Sequence, residues 1–166
     1  MSDTAKRRIF SMLDTDGDGV ISHSEYLARV ERAAAAAGRD RHDPLVLVAR
    51  DTHEEVFRQL SAGRDQGVTF EAYSSWAGHD AFEETCRPAL GSLFDLADAD
   101  GDGRLDRKEF IRLRTASGNA EQDVDAAFDV LDADRDGFVD REAYLLGIRD
   151  FLTTGASALA GAYGSD

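Results

Sequence analysis

The sequence predicts an all-α protein of four helix–loop–helix units, set in two pairs within one compact globule, with short β-bridges between paired loops. Three observations carry that expectation. A D-x-D-x-D-G core occurs at 14–19, 98–103 and 132–137. An apolar frame surrounds each core: Phe10, Phe94 or Phe128 ahead of it, then Ile21, Leu105 or Val139, then Tyr26, Phe110 or Tyr144. The same frame finds a fourth copy without help from the acids, through Phe57, Leu60, Val68 and Tyr73, and places a loop at 61–72.

The segments between loops read as helices. Phe10 and Leu13 lie one turn apart before the first loop, and Tyr26, Leu27 and Val30 continue the helical period after it. That second helix is expected to run through 33–37 and end near Gly38. Asp43 followed by Pro44 reads as an N-cap with proline in the first turn, opening the second unit, and Pro88 is expected to open the third in the same way. The expected organisation is a first pair over 1–86, with loop 14–25 complete and loop 61–72 degenerate. A second pair covers 87–152, with loop 98–109 complete and loop 132–143 lacking its closing glutamate, and a tail covers 153–166.

Composition narrows the functions. A hydrophobic fraction of 42% supports a folded core, while a net charge of −14 argues against nucleic acid and anionic membranes and toward cations. No apolar run approaches the roughly 18–20 residues of a membrane span, and residues 1–8 lack the apolar stretch of a signal peptide. A lone Cys86 offers neither a disulfide nor a zinc cluster. The expectation is a cytoplasmic monomer. The near-absence of lysine (only Lys6 and Lys108) points to a GC-rich bacterial genome.

Placement of the acids identifies the cation. Calcium takes roughly six to eight oxygen ligands, and a 12-residue loop supplies them from positions 1, 3, 5, the carbonyl at 7, position 9 and a bidentate glutamate at 12. Loop 1 meets this with Asp14, Asp16, Asp18, the Val20 carbonyl, Ser22 and Glu25. Loop 3 meets it with Asp98, Asp100, Asp102, the Arg104 carbonyl, Asp106 and Glu109. Loop 4 offers Asp132, Asp134, Asp136, the Phe138 carbonyl and Asp140, but position 12 is Ala143 and the glutamate stands one residue early at Glu142. It is expected to bind more weakly. Loop 2 has Ser61, Gly63 and Ala72 where acids are needed and is expected to be structural. The implied load is two to three Ca2+ ions, with Mg2+ as competitor. No histidine spacing or nucleophile motif suggests an enzyme.

Over 8–151 this pattern resembles the EF-hand sarcoplasmic calcium-binding proteins and their bacterial, calerythrin-like relatives. The resemblance implies two EF-hand pairs packed face to face, acting mainly as a calcium buffer or carrier. The alternative is a sensor that opens on binding and grips a partner helix. Such sensors use methionine-rich grooves, whereas this chain has only Met1 and Met12, and no protein partner is indicated. In the buffer reading Tyr26, Trp76, Phe110 and Leu145 cover the facing pair, and Phe151, Leu152 and the tail close the remaining groove.

Overall fold

Helix α1 (Asp3–Leu13) enters the first loop, β1 (Val20–Ile21) crosses it, and α2 (His23–Ala36) leaves it. The second unit repeats this with α3 (Pro44–Ser61), β2 (Val68–Thr69) and α4 (Phe70–Trp76). A short turn α5 (His79–Ala81), a π-helical turn (Phe82–Cys86) and α6 (Arg87–Ala97) then form one helical run into the third loop. Strand β3 (Arg104–Asp106) and helices α7 (Arg107–Ala116) and α8 (Glu121–Leu131) come next, and β4 (Phe138–Asp140) and α9 (Arg141–Thr154) complete the order. The computed structural model describes residues 3–77, 79–119 and 121–154. The side chains of Phe151 and Leu152 and the chain beyond Thr154, expected to close the groove, lie outside the described residues.

Local chemistry sets most helix ends. Asp43 caps α3, its Oδ1 accepting from the Leu45 N–H at 2.9 Å, with Pro44 in the first turn. Helix α2 ends at Ala36, and Gly38 takes the left-handed φ of +67° that reverses the chain. Pro88 does not open a helix as the sequence suggests. It lies inside the run from His79, where Cys86 is helical and makes no side-chain cap. The π turn explains why: Arg87 N–H donates to the Phe82 carbonyl, and the widened turn accommodates a proline that has no N–H to give.

The loops pair as the apolar frame predicts. Strand β1 runs antiparallel to β2 with Ile21 opposite Val68, and β3 to β4 with Leu105 opposite Val139. All four of those side chains are buried. Phe10, Tyr26, Phe57, Leu60 and Tyr73 build one core group. The larger group joins Val30, Ala33, Val46 and Ala49 from the first half to Phe94, Phe110, Phe128 and Tyr144 from the second. Helix α2 packs on α3, α6 and α7, and α3 on α6. Tyr26, Phe110 and Leu145 are buried in this packing, whereas Trp76 is half-buried. Among the described residues, no helix is long and apolar enough to cross a membrane.

Candidate metal centres

In loops 1 and 3 the backbone folds around the first aspartate. Asp14 Oδ2 accepts from the Gly19 N–H at 2.9 Å and Oδ1 from Asp18 N–H at 3.1 Å. Asp98 does the same, with Gly103 N–H at 2.9 Å and Asp102 N–H at 3.2 Å. Gly19 and Gly103 hold φ values of +88° and +80°, a left-handed geometry open to glycine and costly for other residues. Asp18 and Asp102 each turn an Oδ1 onto the N–H of the residue two further on, Val20 and Arg104, both at 2.8 Å.

Positions 9 and 12 are tied together by helix capping. Ser22 Oγ accepts from Glu25 N–H, and Glu25 Oε2 accepts from Ser22 N–H at 2.8 Å, a reciprocal box that opens α2. Asp106 and Glu109 open α7 in the same way. The other glutamate oxygen reaches back over the loop: Glu25 Oε1 accepts from Thr15 and Asp16 N–H at 2.9 and 3.1 Å, and Glu109 Oε1 from Ala99 N–H at 3.0 Å. As a result Asp14, Asp16 and Glu25 bring carboxylate oxygens within 4.8 Å of one another, as do Asp98, Asp100 and Glu109.

The electrostatics fit a cation. Burial pushes the Glu25 carboxyl up, but donors from Ser22, Asp16 and Thr15 outweigh it and hold the group at about 2, so it stays ionised. At Asp16 the Asp18 N–H pulls downward, while burial and the neighbouring Asp18, Glu25 and Asp14 charges push up; the net shift is upward. Crowded carboxylates of this kind favour a divalent ion among them.

Loop 4 keeps its first half. Asp132 Oδ2 accepts from Gly137 N–H at 2.9 Å, Oδ1 from Asp136 N–H at 3.0 Å, and Asp132, Asp134 and Asp136 form a third oxygen group. Its second half differs. Asp140 accepts from Ala143 N–H at 2.7 Å as Asp106 does from Glu109 N–H, but Ala143 has no carboxylate to return, so only half of the capping box forms. Glu142 turns away to Arg87, whose Nη2 donates to it at 2.5 Å. In loop 2 only Asp65 among the ligand positions is acidic, and among the described residues no such acid group forms there.

Arginines surround the centres in ways the sequence did not reveal. Arg104 stacks on the Phe138 ring at 4.2 Å across β3–β4 and stands 3.4 Å from Asp102 and 3.9 Å from Asp136. Arg39 Nη2 donates to the carbonyl of Asp98, the first acid of loop 3.

The loop geometry agrees with the comparisons. The EF-hand domain pair model matches residues 87–149, and a second EF-hand model matches 7–30. This is an EF-hand protein. Calerythrin of Saccharopolyspora erythraea is 24% identical over 161 residues, 90% of each chain. "Probable calcium-binding protein CML16" of Oryza sativa subsp. japonica is 30% identical over 112 residues; the match spans 68% of this chain but 58% of the rice protein. A calcium-binding protein of Streptomyces coelicolor superposes with a TM-score of 0.75 at 25% identity, covering 92% of this chain and 99% of that one. The EF-hand chain is therefore calerythrin-like. EF-hands bind Ca2+, and three of the four EF-hand loops here carry an acidic group suited to it.

Proposed function

We propose that the chain is a calcium buffer or carrier. It binds Ca2+ through Asp14, Asp16, Asp18, the Val20 carbonyl, Ser22 and Glu25, and through Asp98, Asp100, Asp102, the Arg104 carbonyl, Asp106 and Glu109. Asp132, Asp134, Asp136, the Phe138 carbonyl and Asp140 hold a weaker third ion, with Mg2+ competing at all three. The two pairs, 1–86 and 87–152, act as one unit. The observation that supports buffering is the shared core: the faces of α2 and α3 that carry Val30, Ala33, Val46 and Ala49 are buried in packing with α6 and α7. A sensor must expose such a face on loading.

A second reading has one observation in its favour. The Streptomyces coelicolor neighbour, matched over 99% of its length, is described in terms of prokaryotic calcium-mediated regulation. Calorimetry with Ca2+, with and without millimolar Mg2+, paired with ANS fluorescence separates the readings. The buffer reading expects two tight sites and one weaker one, with more dye bound by the apo form than by the loaded form. A sharp calcium-induced rise in dye binding makes the protein a sensor, and an absence of binding heat overturns the metal assignment.

A further inference from the structure

We infer that loops 1 and 3 are energetically coupled through Arg32 and Arg39, so that filling one raises the affinity of the other. The inference rests on the calcium reading of those loops. Helix α2 begins at the Ser22–Glu25 box of loop 1. Its far end carries Arg32, and Arg39 stands just beyond the Gly38 turn. Arg32 Nε donates to the Ala116 carbonyl at 2.8 Å, at the C-terminus of α7. Arg39 Nε donates to the Leu96 carbonyl at 2.8 Å and Nη2 to the Asp98 carbonyl at 3.1 Å, at the C-terminus of α6. Helix α6 enters loop 3 and α7 leaves it. The exit helix of loop 1 and the turn that follows it therefore grip both helices that frame loop 3, and one of the carbonyls held by Arg39 belongs to that loop's first ligand residue.

The chemistry suits the task. Carbonyls in the last turn of a helix have no donor within the helix, and a cation there also meets the negative end of the helix dipole. The planar guanidinium of Arg39 serves two carbonyls at once, while Nη1 donates to Asp43 Oδ2 at 3.2 Å and keeps the fork in place. Calcium at loop 1 draws on Glu25, the third residue of α2, and so fixes the helix direction in which these bonds form. Without the ion Glu25 keeps only its hydrogen bonds to Ser22, Thr15 and Asp16, α2 is held less firmly, and the hold on loop 3 weakens. A ligand shifts an equilibrium only through interactions that differ between states, and these three bonds are the difference.

The loops carry their own reporters. Gly19, Gly103 and Gly137 N–H each donate to the first aspartate of their loop at 2.9 Å, so each amide resonance reads its own site. In calcium titrations of the 15N-labelled full chain, Glu25→Gln should move the Gly103 midpoint to about fivefold higher calcium or more, within the usual range of coupling. In an Arg32→Gln/Arg39→Gln background the same change should move it less than about twofold. By reciprocity, Glu109→Gln should move the Gly19 midpoint by a similar factor in the chain with both arginines, a measurement that needs no arginine variant. If the double variant fails to fold, Arg39→Lys carries the comparison, since a single ammonium cannot keep the fork and should reduce the coupling. A Gly103 midpoint unmoved by Glu25→Gln, or moved equally with and without the arginines, overturns the coupling. Gly19 and Gly103 resonances that ignore calcium in the unaltered chain overturn the metal reading instead.

Discussion

Ala62 ends α3 at a φ of +49°, and Arg135 sits at +56° in the fourth position of loop 4, where loops 1 and 3 have Gly17 and Gly101. A Cβ in left-handed backbone costs about 1–2 kcal/mol, relieved by glycine at a helix C-terminus. Ala62→Gly touches no metal ligand and should stabilise the fold by about 1 kcal/mol, read as a higher Tm. At position 12 of loop 4, Ala143→Glu should complete the capping box with Asp140 and supply the bidentate carboxylate. Calorimetry should show the weakest site tightening, and an unchanged site would mean that another group already closes the shell. The displaced glutamate was legible in the sequence because ligand positions are fixed by the ion's geometry. Its commitment to Arg87, 55 residues away, was not, since no local pattern marks a long-range ion pair.

At the level of elements, the degenerate second loop acts through its backbone. Gly67 holds a φ of +77°, and a Cβ there would lie 2.9 Å from the Ile21 carbonyl oxygen and 2.5 Å from Val20 Cγ1. The side chain can move aside, but the backbone oxygen belongs to the bridge. Gly67→Ala should push β2 from β1, cost about 1–3 kcal/mol and weaken calcium binding at loop 1, where the Val20 carbonyl is a proposed ligand. Thermal melts and calorimetry together check this; intact loop 1 affinity would separate the bridge from the site. The bridges and their register could be read from the spacing of Ile21, Val68, Leu105 and Val139 alone. The π turn could not, because Pro88 carries the same local signal whether it starts a helix or comes after a widened turn.

For the whole molecule, the interior places a demand on pH. His53 is fully buried on α3 beside a cavity of about 70 Å3 lined by Tyr26, Val56, Trp76, Phe82 and Cys86. Its Nδ1 lies 2.7 Å from the Ala49 carbonyl and donates to it in the neutral ring, while Nε2 has no hydrogen-bond partner among the described residues. Burial first, then the nearby Arg29 charge, lower its pKa from 6.5 to about 3. The unfolded chain therefore takes up this proton before the folded one does. Stability is full above about pH 6.5 and falls as the pH drops toward 3. One such group costs about 1 kcal/mol between pH 6.5 and 5.5, so calcium-loaded His53→Leu should lose less stability than the parent over that step. Equal slopes in denaturant titrations would place the proton uptake elsewhere. The fold and the acids of the metal loops were legible because a repeat displays them several times over. The arginine grips on Leu96, Asp98 and Ala116 were not, because every residue has a carbonyl and none advertises which will be gripped.

The π turn at Phe82–Cys86 also has a bearing on helical phase. Each residue added to a helix rotates all later residues by about 100° around its axis. The widened turn works as one such extra residue within a run from His79 to Ala97. It lets Phe82, at the start of the turn, and Phe94 beyond it both face the interior, though a regular α-helix would set them a different angle apart. Losing one residue here would act unlike a trimmed surface loop. It would rotate the His79–Phe82 end around the helix axis relative to α6 and loop 3, and so turn Phe82 away from the core it shares with Phe94.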